Sequence, residues 1–166
     1  MENKFTHEIA PIYNQYSKIL ILGSFPSVKS REANFFYHHP QNRFWKLLSM
    51  LLKENLPVQL NDKKNMLLKH NVALWDVISS CEITGSSDST IRNVIPNDIE
   101  AIIKKSNIQK IFINGGIAYN LYCKYCLTKI KKETIKLPST SPANASYSIE
   151  KLFDSWKVIL NDLSQK

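Results

Sequence analysis

Cysteine is scarce, long apolar runs are missing, and acidic residues are outnumbered. Only three cysteines, Cys81, Cys123 and Cys126, occur in 166 residues. The polar start Met1-Glu2-Asn3-Lys4 carries no secretion signal, and together these features exclude a disulfide-built framework and lead us to expect a cytoplasmic protein. Cys123 and Cys126 have C-x-x-C spacing, but one further cysteine leaves too few ligands for a zinc or iron–sulfur centre. They read as packing thiols on a helix, and neither metal nor cofactor is expected. No apolar run approaches the roughly 20 residues that span a bilayer, so no membrane partner is expected either. No internal repeat or low-complexity segment divides the chain, so residues 1–166 read as a single domain, expected to act as a monomer.

What is present is a folded protein's apolar content and an excess of base. Hydrophobic residues make up 43% and aromatics 10%, ample for a core without staples. Twenty-two Lys and Arg against fourteen Asp and Glu give a net charge of +8 and a pI near 9.4. Such a balance favours a polyanionic partner, nucleic acid being the usual one, although a lysine-rich coding bias accounts for the charge equally well. Lys63, Lys64, Lys69, Lys104, Lys105, Lys129, Lys131 and Lys132 read mostly as solvated helix faces, some subset of which meets phosphate.

Strand-like and helix-like segments alternate. Residues 18–22, 72–78, 110–114 and 133–138 read as strands; 43–54, 62–70, 118–129 and 148–163 read as helices. Asn97-Asp98-Ile99-Glu100 resembles a capping box that opens a helix to Lys105. Near-continuous apolar strands separated by helices predict a single-domain, three-layer α/β/α fold on a central four-stranded parallel sheet. Residues 79–95 read as a long polar connection of the kind that carries function. In such a sheet ligands sit at the carboxyl ends of the strands. The turns Gly23-Ser24-Phe25-Pro26-Ser27, Asp76 to Ser80, Asn114-Gly115-Gly116 and Pro138-Ser139-Thr140-Ser141-Pro142 are therefore expected to converge. Pro40 fits the first turn of a helix, which would set His38, His39, Asn42 and Arg43 at a helix N-terminus beside them.

Gly23-Ser24-Phe25-Pro26-Ser27, Phe36-Tyr37-His38-His39-Pro40-Gln41-Asn42-Arg43-Phe44-Trp45 and Leu137-Pro138-Ser139-Thr140-Ser141-Pro142-Ala143-Asn144-Ala145 resemble the motifs of the uracil-DNA glycosylase superfamily. Within it the chain is most similar to the hypoxanthine (deoxyinosine) DNA glycosylases, relatives of the mismatch-specific uracil glycosylases. Leu74-Trp75-Asp76-Val77-Ile78 and the loop from Gly85 to Ile91 also fit that branch. The resemblance implies a monofunctional glycosylase of base excision repair that flips a deaminated base out of DNA, damaged duplex or single strand, and hydrolyses its N-glycosidic bond. It further implies Asn42 as the catalytic amide, since Phe25 stands where mismatch-specific relatives carry a water-orienting Asn. Gly23, Ser24, Phe25, Phe36, Tyr37, Asp76 and Asn114 are implied to form the base pocket. In that pocket Phe36, ahead of Tyr37, would stack on the base, and Asp76 would either read its edge or cap the strand. For Asn114, turn capping outweighs substrate contact. Ser139, Thr140, Ser141, Pro142, Ala143 and Asn144 are implied to meet DNA, the hydroxyls on phosphate and Pro142 with Ala143 as an apolar wedge. Two readings stay open beside this one: a uracil or G·T mismatch glycosylase, and a non-catalytic nucleic-acid-binding module on the same fold.

Overall fold

The computed structural model describes residues 2–6, 9–84 and 90–164. Among these described residues, seven strands and seven helices follow in the order β1 (Glu2–Thr6), β2 (Ile19–Gly23), α1 (Val28–Ala33), α2 (Phe44–Leu52), α3 (Leu60–Lys69), β3 (Val72–Asp76) and β4 (Ile78–Thr84). Then come β5 (Arg92–Pro96), α4 (Ile99–Lys104), β6 (Lys110–Asn114), α5 (Gly116–Tyr125), β7 (Glu133–Leu137), α6 (Ile149–Trp156) and α7 (Ile159–Leu163). The central sheet has the order β3-β2-β6-β7, and every neighbouring pair in it is parallel.

Burial on both faces follows from alternation within near-continuous apolar strands. Ile19, Ile21 and Phe112 face a core shared with α2, α3, α6 and α7, whereas Leu20, Leu22, Ile111 and Ile113 face one shared with α4, α5 and β4. The expected three-layer α/β/α arrangement is the one found. Helix α2 shows what places an element here. It buries Phe44, Trp45, Leu47, Leu48, Leu51 and Leu52, and its N-cap, Arg43, makes no side-chain capping bond. Each such burial contributes roughly 1.5–3 kcal/mol, whereas a good N-cap contributes about 1 kcal/mol. Packing, not capping, therefore sets α2.

Several expectations are corrected. Residues 79–95 are not one polar connection: β4 and β5 occupy most of them and, with β1, form a separate antiparallel sheet of order β1-β4-β5. Residues 85–89, which hold most of the loop from Gly85 to Ile91, lie outside the described residues. Helix α2 begins at Phe44, so Pro40 sits in a turn ahead of it and not in its first turn. The N-cap of α4 is Asp98, which accepts from Ala101 N–H, while Asn97 donates from Nδ2 to the Asp76 carbonyl at 2.9 Å. The single helix expected over 148–163 is two, α6 and α7.

Candidate active site

Register brings the site together. Gly23 is paired with Asp76, Leu22 with Ile113, and Asn114 with Leu137. The strand-final residues Asp76, Gly23, Asn114 and Leu137 thus form a row across the carboxyl edge of the sheet, where the turns were expected to converge.

At one end of the row, three groups crowd a single point. A Cβ on Gly23 would lie 2.5 Å from Asp76 Oδ1 and 2.8 Å from the Tyr37 hydroxyl oxygen. Only glycine fits there. Asp76 is 3% exposed, a buried carboxylate at a strand end. The Tyr37 hydroxyl is buried and makes no hydrogen bond of ordinary geometry, although Asp76 and Asn114 lie beside it. Burial first, and the Asp76 charge second, push the phenol far above its ordinary range, so it stays protonated. Tyr37 has φ 51°, a left-handed conformation that costs an aromatic residue about 1–3 kcal/mol. Its ring is stacked on Phe44 with centroids 4.2 Å apart, which holds it in place.

That geometry reverses an expectation. Phe36, expected to offer its face to a base, is 2% exposed and packs in the core edge-on to Phe35. Its carbonyl is anchored by Trp45 Nε1 at 3.0 Å. Tyr37, one residue later, is the half-buried aromatic at the strand ends. Phe25 also turns inward, 6% exposed in the second core with the Arg31 guanidinium 5.4 Å from its ring centre. The Phe25 ring is therefore part of the core and not of the site.

At the other end of the row lies Asn42. Its Oδ1 accepts from Phe44 N–H and from the Thr140 hydroxyl, each at 2.9 Å. Thr140 Oγ1 accepts from Asn114 Nδ2 at 3.0 Å, and Asn114 Oδ1 accepts Thr140 N–H at 3.0 Å. Thr140 is fully buried, so it is no phosphate ligand: its hydroxyl is spent within the protein. Asn114, tied twice to Thr140, pins the exit of β6 to the loop after β7. Gly115 makes the approach of that loop possible. It has φ +97°, and a Cβ there would meet Ser139 Cβ at 3.0 Å.

Arg43, expected among the polar groups of a helix N-terminus, is turned onto the protein: Nη2 donates to the carbonyls of Ser141 at 2.8 Å and Asn144 at 3.1 Å. Nη1 donates to the Tyr147 carbonyl and Nε to that of Thr140. One cation thereby shapes residues 140–147 through four backbone acceptors. Ser141 Oγ caps Ala143 N–H at 3.2 Å, and Asn144 Nδ2 holds the Ser139 carbonyl at 3.0 Å, while Ala143 stands exposed at the tip. Pro142 beside it is half-buried. His39 Nδ1 accepts Gln41 N–H, and Ser30 Oγ accepts His38 N–H, so the histidine pair shapes its own turn. Two surface clefts of about 400 and 310 Å³ lie elsewhere, lined around Leu56 and Met66 and around Asn97 and Tyr125, and hold none of these groups.

The profile of the Uracil DNA glycosylase superfamily matches residues 10–164. A hypoxanthine DNA glycosylase of Methanosarcina acetivorans is 35% identical over 139 residues, covering 82% of this chain and 87% of that protein. One from Methanosarcina barkeri is 29% identical over 107 residues, covering 63% and 68%. A solution NMR structure of a Methanosarcina acetivorans protein, described there as a candidate uracil DNA glycosylase, superposes with a TM-score of 0.83 at 29% identity, covering 99% of this chain and all of that one.

Proposed function

Because this chain belongs to the uracil DNA glycosylase superfamily and is a DNA glycosylase of deaminated bases, we propose that hypoxanthine, as deoxyinosine in DNA, is its first substrate and uracil its second. The observation that carries this reading is the crowding of Asp76 and Tyr37 on side-chain-free Gly23 at the carboxyl edge of the sheet, with the Asn42 amide tied to Asn114 of that edge through Thr140. A flipped base stacks on Tyr37 from the side away from Phe44, on which the ring is braced. The Asp76 carboxylate accepts the N1–H of hypoxanthine, or the N3–H of uracil, and the backbone N–H groups of Ser24 and Phe25 receive the base carbonyl. Departure of the base leaves an oxocarbenium-like sugar, and Asn42 holds the water that captures it. Bond breaking leads, so that water needs placement more than a strong base. Phe25 in place of a water-orienting Asn supports the preference for hypoxanthine over uracil. The loop 139–144 enters the minor groove, with Pro142 and Ala143 as the wedge and Ser139, Ser141 and Asn144 stiffening it.

The test is cleavage of oligonucleotides holding deoxyinosine, uracil or a G·T mismatch, followed by alkali. Deoxyinosine cut fastest, with no nick before alkali, is the expected result. Asn42→Ala should abolish cleavage while duplex binding persists. No strand break on any substrate at enzyme excess would overturn the proposal, and uracil cut ahead of deoxyinosine would move it to the uracil class.

A further inference from the structure

The amide of Asn42 has two ends, and its neighbours decide which one is tied down. Phe44 N–H reaches it at 2.9 Å, and a backbone N–H can only donate, so the atom it meets is the carbonyl oxygen however the planar amide is turned. The second lone pair of that oxygen takes the Thr140 hydroxyl at 2.9 Å. The sense of this bond is fixed from behind. Asn114 Oδ1 receives Thr140 N–H, which leaves Asn114 Nδ2 to donate to Thr140 Oγ1, so the one hydroxyl proton of Thr140 goes to Asn42. Donation therefore runs from Asn114 to Thr140 to Asn42 and ends on an oxygen with both lone pairs occupied. Asn42 Nδ2 donates to no described residue, and the side chain is half-buried.

Resting on the reading of Asn42 as the catalytic amide, we infer that Thr140 is a positioning residue that sets its polarity: Asn42 offers N–H donors, not a carbonyl acceptor, to the flipped nucleotide and its water. A donor places a water by its oxygen and does nothing to remove its proton, so no general base acts at this position.

The test is single-turnover cleavage of a deoxyinosine duplex by the full chain, with duplex affinity and melting temperature measured alongside. Thr140→Val should slow cleavage on the order of 10²-fold at unchanged duplex affinity, the cost of letting a reacting group drift by about 1 Å. Thr140→Ser keeps the hydroxyl and should restore the rate. Asn42→Asp keeps an oxygen for Phe44 and Thr140 but turns a second oxygen outward in place of the NH2, and should be inactive from about pH 5 to 9. A wild-type rate for Thr140→Val, equal losses in the Val and Ser variants, or an active Asn42→Asp would each overturn the inference. If Thr140→Val does not fold, Asn42→Asp decides alone. A wild-type rate for Asn42→Ala would instead overturn the catalytic reading of Asn42.

Discussion

Replacing Gly23 with alanine adds one methyl group where Asp76 and Tyr37 crowd the proposed base pocket. That carbon would sit 2.5 Å from Asp76 Oδ1 and 2.8 Å from the Tyr37 oxygen. Ordinary contact begins at about 3.4 Å, so the two must retreat by roughly 0.9 and 0.6 Å. Neither is a loose chain end. Asp76 is short and buried on a strand, and Tyr37 is stacked on Phe44 from a left-handed backbone. Overpacking of this kind costs about 1–3 kcal/mol, which in a domain of this size lowers the melting temperature by roughly 2–12 °C. A displacement approaching 1 Å at the base pocket should also slow single-turnover cleavage of deoxyinosine on the order of 10²-fold. Thermal melting by circular dichroism and quenched cleavage time courses measure the two effects separately. The double variant Gly23→Ala/Tyr37→Phe removes the oxygen at 2.8 Å but not the one at 2.5 Å. It should recover part of the melting loss, a coupling of about 0.5–3 kcal/mol, while cleavage stays slow. Wild-type melting and wild-type cleavage in Gly23→Ala would refute the convergence of these three residues.

Two further expectations follow from groups outside the pocket. Arg43→Lys keeps the charge but cannot reach four carbonyls, and an acceptor stripped of its donor costs about 1–3 kcal/mol. Limited proteolysis should cut faster within residues 139–147 and duplex affinity should fall; unchanged values for both would show that the guanidinium does not shape the loop. Burial pushes the Cys126 thiol up from 9.0 to about 11, against the nearby Lys129. The fold favours the neutral thiol, so its contribution is complete below about pH 9 and is lost as pH rises towards 11. The melting temperature should fall across that window, and fall less steeply in Cys126→Ala; parallel slopes would refute it.

The four central strands were legible because each is a near-continuous apolar run, and a parallel sheet covered on both faces demands that pattern locally. Once those strands were in hand, the carboxyl edge followed from topology alone. The second sheet left no such trace. Its strand β4 mixes Ser79, Ser80 and Glu82 with Cys81 and Ile83, and it pairs with residues near the N-terminus, Lys4 with Glu82 and Phe5 with Cys81. Pairing across more than seventy residues has no local signature. Adjacent aromatics are equally silent: Phe36 and Tyr37 differ in facing because Tyr37 adopts φ 51°, and nothing in the two residue types announces which one turns.

Two polar residues depart from expectation in the same direction, and the reason bears on how the site is built. Thr140 was expected to meet DNA, and Arg43 to stand among the polar groups of a helix N-terminus. Both instead satisfy buried or half-buried partners within the chain, Thr140 on Asn42 and Asn114, and Arg43 on the carbonyls of 140–147. Asn42 and Arg43 are sequence neighbours that grip the same loop 98 residues away, one by its side chain and one by its backbone. An unpaired buried donor or acceptor costs more than a hydrogen bond contributes, so neither grip can be lost singly without penalty. The turn before α2 and the loop after β7 therefore form one mechanical unit. Phe25 is buried in the core, and its loop supplies Gly23 as empty space. The polar side chains suited to the reaction must then come from that two-loop unit and from Asp76, which is why Asn42 cannot be understood without Thr140.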